Sequence, residues 1–410
     1  MQSLSGLVIV VLCGVTTAGA LDTCDRITHY GYPCERHNLT TKDGYVLAIF
    51  RIPYSQHGDS YDNATSKPPV LLMHCLECSS DIWIISGPDN GLPFILADAG
   101  YDVWLGNARG NVYSQKHIKL QRSSTEFWEF SLDEIGIIDV PAKIDYVLAI
   151  TNSQSLHYVG YSQGSTTLMM ALASKPEYNE KLRSTHLLAP VVFLCYVGGP
   201  VAILGSPIVG SINPLTQLLG TVPLHELEAL SRSVAPGLCQ RAEFAELCLA
   251  FLNIVCGWGS PHLNRTLIPE LLSTAPAGGS FRQVIHYAQM VMSCKFRPYD
   301  FGLPGNMQKY GKSQPPSYNL ANVHPKTPIE MYFGENDYFV PLRDAYRLSK
   351  ILGNRASWNH VKFPKYNHFD YTLASNVRWC INDCVVDRMQ KYEGRSFHGD
   401  LCKCFKNKPF

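Results

Sequence analysis

Gly160-Tyr161-Ser162-Gln163-Gly164 sets a serine between two glycines, directly after an apolar run and directly before a helix-like one. Glycines at these positions permit a sharp strand-to-helix turn with close backbone approach, which leaves the serine hydroxyl exposed at its tip. An alcohol attacks an acyl carbon efficiently only when a base takes its proton, so this role calls for a histidine and a carboxylate that orients it. In the strand-turn-helix context the acid and then the histidine follow the serine along the chain. Asp337 closes Gly334-Glu335-Asn336-Asp337 after an apolar run, and His368, in Asn367-His368-Phe369-Asp370, lies 31 residues later. Spacing favours this pair, with Asp344, Asp370, His324 and His360 as the nearest rivals. Negative charge developing on the attacked carbonyl needs backbone donors. His74-Cys75-Leu76 ends an early apolar run where a loop can aim the Leu76 N–H, and the Gln163 N–H is the second candidate. The plainer readings are a helix-capping role for Ser162 and a hydrogen-bonded supporting role for His74, and for His74 the supporting role is preferred.

These residues need rigid elements behind them. Asp43-Gly44 is a turn leading into a strand over Tyr45–Phe50, and the polar stretch 55–69 is a loop. Short apolar runs at Val70–Met73, Tyr101–Leu105, Leu156–Gly160 and Ile329–Phe333 read as buried strands. Thr166–Ala173 reads as a helix, and Ser131–Ile150 as one helix or two broken near Pro141. Strands alternating with helices predict an α/β fold with a mainly parallel sheet covered on both faces. Residues 196–300 differ: Gly and Pro interrupt helix-like runs such as Leu247–Ile254, and Cys239, Cys248, Cys256 and Cys294 fall among them. This stretch reads as an inserted, mainly helical cap with its own crosslink. The expected organisation is a leader at 1–20, a core formed by 21–195 and 301–378, the cap at 196–300, and a cysteine-containing extension at 379–410.

The chain has 410 residues, 46% of them hydrophobic and 17% charged, which excludes a disordered tail. Lys plus Arg is 35 against 34 for Asp plus Glu, so no bulk electrostatic footprint for nucleic acid exists. Leu7–Cys13 is apolar and Ala18-Gly19-Ala20 supplies a cleavage pattern, so residues 1–20 read as a secretory signal too short to span a bilayer comfortably. No later run reaches transmembrane length, and no transmembrane anchor is expected. Removing the leader takes Cys13 and leaves thirteen of fourteen cysteines, an odd number that requires an unpaired thiol or an intermolecular bond. Asn38, Asn63 and Asn264 each open a glycosylation acceptor pattern. Cys380, Cys384, Cys402 and Cys404 are assigned to disulfides in preference to a metal cluster, because the compartment is oxidising.

From residue 24 to 378 the sequence resembles the acid lipase family, which includes gastric and lysosomal acid lipases and their insect relatives. The resemblance rests on Gly31-Tyr32-Pro33, Thr41–Leu47 with Arg51-Ile52-Pro53, and His74–Ser80 with Trp83. It continues through the long run Ala97–Asn111, Gly160–Gly164, Gly334-x-x-Asp337 and Asn367-His368. It implies an α/β-hydrolase fold with a helical cap and an apolar acyl tunnel. The implied roles are Ser162 as nucleophile, His368 as base and then acid, Asp337 as its orienting partner, and the Leu76 and Gln163 amides as oxyanion donors. A Cys239–Cys248 disulfide in the cap, similar to one in the family, is also implied. No cofactor is implied; the partner is a neutral lipid ester at an emulsion, micelle or lipoprotein surface.

Two departures stand out. The family has His-Gly-Leu where this chain has His74-Cys75-Leu76, and a positive φ there would distort the donor loop around the added Cβ. Tyr161 replaces the family histidine before the serine, which alters packing at the turn but removes no proton carrier. The paired Cys24 and Cys34 and the cysteine tail are additions. The expected activity is that of a secreted, or alternatively lysosomal, serine lipase cleaving triacylglycerol or steryl esters through an acyl-enzyme. The competing expectations are a catalytically impaired lipid-binding homologue and a carboxylesterase for shorter acyl chains.

Overall fold

A computed structural model of the chain describes residues 21–55, 67–212, 214–220, 225–394 and 399–406. The leader reading at 1–20 and the acceptor Asn63 lie outside them.

The strands are β1 (Glu35–Thr40), β2 (Tyr45–Ile52), β3 (Pro69–Met73), β4 (Asp102–Gly106), β5 (Lys116–His117), β6 (Leu156–Tyr161), β7 (Leu182–Leu188), β8 (Ile329–Phe333), β9 (Ala356–Val361) and β10 (Phe405–Lys406). They form one sheet in the order β1-β2-β4-β3-β6-β7-β8-β9-β10, with β5 beside β2. The six strands from β4 to β9 run parallel, while β1, β2 and β10 are antiparallel to their neighbours at the two edges. Burial explains why the central strands were legible as unbroken apolar runs. Every residue of β3, β4, β6 and β8 is buried, as two covered faces require, whereas edge strand β1 buries only Leu39.

Helix Gln163–Ser174 follows β6 without a linker longer than Ser162, and eleven of its twelve residues are buried. The segment from Leu132 to Thr151 does not break at Pro141. Helix Leu132–Glu134 passes into a π turn at Ile135–Asp139 and on into helix Val140–Thr151, so the wide turn absorbs the irregularity before Pro141 enters the first turn of the last segment.

Between β7 and β8 the chain leaves the sheet for helices including Pro200–Val209, His225–Cys239, Ala242–Cys256, Ile268–Thr274 and Phe281–Ser293. Cys239 and Cys248 are joined, bridging the second turn of Ala242–Cys256 to the end of the preceding helix. Cys195–Cys294, a pairing not foreseen from spacing, ties the chain just after β7 to the residue that closes Phe281–Ser293. Cys24–Cys34 fastens the N-terminal helix Thr23–His29 to the approach to β1, and Cys384–Cys402 closes the tail. Among the described residues no helix is long and apolar enough to cross a membrane, and no group of three or more His, Cys, Asp or Glu is placed to hold a metal ion.

Candidate active site

Ser162 occupies the turn between β6 and helix Gln163–Ser174 at φ 54°, ψ −111°, a conformation that side chains other than glycine rarely adopt. Its N–H donates to the Leu188 carbonyl on β7 at 2.9 Å, which holds the turn against the sheet. Its hydroxyl makes no helix-capping bond, so the capping role considered for this serine is not the one it plays here. The turn is tight because helix and strand nearly touch. A Cβ on Gly164 would stand 2.2 Å from the Met73 carbonyl oxygen, and one on Gly160 would meet the Gly164 backbone at 2.8 Å. Backbone cannot yield as a flexible side chain can. Gly164→Ala is therefore expected to lose about 3 kcal/mol of stability, read as a lower urea midpoint at unchanged slope; an unchanged midpoint would show that β3 and the helix separate freely.

His368 lies in the loop before helix Asp370–Leu373, and Asp337 in the loop after β8. The Ser162 Oγ–H donates to His368 Nε2 at 2.8 Å, and His368 Nδ1–H donates to Asp337 Oδ2 at 2.8 Å. The other Asp337 oxygen accepts from the Phe339 and Val340 N–H groups at 2.9 and 3.1 Å. All three side chains are nearly sequestered, at 6%, 5% and 2% exposure for Ser162, His368 and Asp337, so water competes weakly for these bonds.

The rival residues do other work. Asp344 accepts from the Tyr196 N–H, and His360 is buried near Glu335. His324 is exposed. Asp370 accepts from the Asn367 N–H and the Ser260 hydroxyl, each at 2.6 Å, and burial lifts its carboxyl to about 7. It braces the histidine loop against the cap.

The backbone of His368 is itself held at both ends. Its N–H donates to the Cys256 carbonyl at 3.2 Å, where a cap helix ends. Its carbonyl accepts from the Tyr161 hydroxyl at 2.7 Å, and the two rings lie 5.4 Å apart. Spacing did not point to this contact, because Tyr161 and His368 are 207 residues apart in the sequence.

His74 plays a supporting part. Its Nδ1–H donates to the Cys75 carbonyl at 2.7 Å, while Nε2 accepts from the Ala108 N–H at 3.0 Å and from Asn111. Burial depresses its pKa to about 4, which keeps the ring neutral and free to accept. The loop 107–111 that it grips is fixed in turn by Arg109, which is 1% exposed and donates to Asp139 in the π turn and to Asp43. Cys75 is disulfide-bonded to Cys78, and the left-handed residue of this loop is Glu77 at φ 55°. The Cβ of Cys75 therefore meets no positive-φ requirement. Leu76 faces the same cavity as Ser162. Gln163 is the first residue of its helix, where backbone N–H groups have no intrahelical partner.

Ser162 and His368 open into a cavity of about 550 Å³ beneath the cap, walled by Val191, Leu194 and Phe339 from the core and by Leu252, Leu271 and Val284 from the cap. Its surface is almost entirely apolar. Of the glycosylation candidates, Asn38 is exposed on β1, and Asn264 is half-buried with its side chain turned onto Thr266.

Sheet order, strained serine turn and hydrogen-bonded Ser-His-Asp line define an α/β-hydrolase with a serine-hydrolase triad. Residues 23–87 match the family described as a partial alpha/beta-hydrolase lipase region, and residues 68–199 the alpha/beta hydrolase fold. The chain is 37% identical over 391 residues to Lipase 3 of Drosophila melanogaster, covering 94% of this chain and 98% of that one. It is 36% identical to the gastric triacylglycerol lipase of Homo sapiens, covering 90% and 91%. With the lysosomal acid lipase/cholesteryl ester hydrolase of Macaca fascicularis it shares 31% identity, covering 93% and 94%. An esterase from Exiguobacterium antarcticum superposes with a TM-score of 0.50 at 12% identity, over 87% of this chain and all of that one, a likeness of fold alone. The chain belongs to the lipase family of the α/β-hydrolase superfamily in which the gastric and lysosomal acid lipases stand.

Proposed function

We propose that this protein is a secreted serine lipase that hydrolyses triacylglycerol or steryl esters through an acyl-enzyme. The observation that carries the reading is the Ser162-His368-Asp337 line, two bonds of 2.8 Å, opening onto an apolar cavity under a helical cap. His368 takes the Ser162 proton as Oγ attacks the ester carbonyl, and the Leu76 and Gln163 amides receive the oxyanion. The alcohol leaves with the proton from His368, and water then repeats the sequence on the acyl group. Asp337 holds the imidazole in the tautomer that accepts from serine.

The cavity wall is almost entirely apolar, so apolar contact and the ester itself carry recognition. Exposed apolar side chains on the cap, among them Leu204, Ile208, Leu247, Phe251 and Trp258, support work at a neutral-lipid surface and favour long-chain esters over the short-chain carboxylesterase reading. That Cys75 carries no left-handed backbone weighs against the impaired-homologue reading, while its place in the cavity lining keeps close substrate approach as that reading's remaining ground. Five disulfides among the described residues support passage through the secretory route, with secretion or delivery to a lysosome as destinations.

The test is hydrolysis of emulsified triacylglycerol and of a steryl ester across pH by the purified protein beside Ser162→Ala. Turnover of either lipid, lost in the variant, is the expected outcome; equal inactivity of two folded proteins would reject the enzyme reading. Tyr161→Phe deletes only the donor to the His368 carbonyl. It is expected to lower kcat about fivefold at nearly constant KM, the equivalent of about 1 kcal/mol in placing the base. An unchanged kcat would show that the loop holds His368 without Tyr161.

A further inference from the structure

Five disulfides leave three of the described cysteines unbonded: Cys256, Cys380 and Cys404, all buried. Cys256 faces the cavity beside the triad. The other two belong together. Cys380 lies in the π turn Arg378–Asn382, four residues before Cys384, and Cys404 just before β10, two residues after Cys402, so the Cys384–Cys402 bond draws together the two buried segments that carry them although 24 residues separate them. Cys384 and Cys402, already bonded, sit inside this pair in the sequence. The Cys404 carbonyl accepts from the Lys362 N–H at 2.8 Å, and β10 pairs with β9, so the strand end is fixed facing the turn.

We propose that Cys380 and Cys404 are a crosslinking site and join as a sixth disulfide, nested outside Cys384–Cys402. With the inner bond closed, the outer thiols are four residues and two residues away from it, so their meeting is an intramolecular event at high effective concentration. Either thiolate can open the exchange, and the step is written for Cys404. Cys404 attacks a sulfur of a small-molecule disulfide such as oxidised glutathione and releases one thiol. Cys380 then displaces the second glutathione, so two protons and two electrons leave the pair and the oxidant ends as two thiols. Because both sulfurs are buried in the folded chain, the exchange belongs to folding. Six bonds then use twelve of thirteen cysteines and leave Cys256 as the single thiol that the odd count requires.

The crosslink has a place in the architecture of the site. Tyr366, Asp370 and Tyr371, on either side of His368, are ionisable neighbours of the pair, as is Lys362. The Tyr366 hydroxyl donates to the Asp370 carbonyl at 2.8 Å, and the Tyr366 and Tyr371 rings meet edge to face. A bond here pins the tail strand and the π turn together beneath the loop that carries the histidine.

The inference rests on the secretory reading, and peptide mapping separates the two. The full chain, secreted from eukaryotic cells, is unfolded in the presence of an alkylating reagent without reduction and digested with trypsin plus a protease cutting before aspartate. Cleavage before Asp383 parts Cys380 from Cys384, and cleavage after Lys403 parts Cys402 from Cys404. The expected map joins the Cys380 peptide to the Cys404 peptide and the Cys384 peptide to the Cys402 peptide, with the alkyl group on Cys256. Alkylated Cys380 and Cys404, or crosslinks swapped between the two pairs, would overturn the inference while Cys24–Cys34 and Cys239–Cys248 still reported an oxidising route. Alkylation of those as well would overturn both.

Discussion

Ser162→Ala is expected to lower the turnover of emulsified ester on the order of 10⁶-fold, the scale on which loss of a triad nucleophile acts, while leaving the fold intact. The size follows from the arrangement, since removing Oγ removes the attacking atom and leaves only cavity binding and the backbone donors. Three features make the substitution structurally mild. The Ser162 hydroxyl makes no helix cap, the N–H bond to Leu188 is a backbone bond that alanine keeps, and the side chain shrinks by one atom. The φ of 54° is as costly for alanine as for serine. Circular dichroism and the urea midpoint should match the parent while kcat collapses. A loss below tenfold would place the nucleophile elsewhere.

Asp337→Asn is expected to lower kcat about 10⁴-fold, the size associated with a reversed histidine tautomer. One carboxylate oxygen is already bound by the Phe339 and Val340 N–H groups. Those donors hold the asparagine carbonyl at that position and so turn the NH₂ group toward His368 Nδ1. The ring must then accept at Nδ1 and carry its proton on Nε2, facing the serine hydroxyl it should deprotonate. Binding of substrate in the cavity does not involve Asp337, so KM should change far less than kcat. Steady-state kinetics with a soluble chromogenic ester checks this, and a kcat within tenfold of the parent would remove Asp337 from the proton path.

The sheet was legible where burial on both faces had erased polar alternation, as at Val70–Met73 and Ile329–Phe333. The serine turn was legible because two glycines are needed where any Cβ would come within 3 Å of neighbouring backbone. Asp337 and His368 could be ranked from chain order and loop position, but only the fold brings them together, since 206 residues separate the serine from the histidine. What stayed hidden depends on long-range contact. Nothing local in Tyr161 announces a bond to the His368 carbonyl, and Arg109 gives no sign of the two aspartates that bury it. Cys75 raised two doubts, and one backbone angle removes the first of them, for the left-handed residue is Glu77. The choice between one helix and two near Pro141 resolves as a π turn at Ile135–Asp139, a device that helical periodicity does not reveal. The cap was legible from its Gly and Pro interruptions, whereas the Cys195–Cys294 bond at its base spans 99 residues and has no local signature.

The central claim is that Ser162 is an activated nucleophile facing an acyl cavity. Incubation of the folded protein with a long-chain alkyl phosphonate that reacts with activated serines, followed by peptide mass spectrometry, tests it without any assumption about the natural lipid. The account predicts one adduct per chain, carried on Ser162, absent from Ser162→Ala and strongly slowed in His368→Ala. A folded protein that takes no label, or takes it on another residue at the same rate in all three forms, would contradict it.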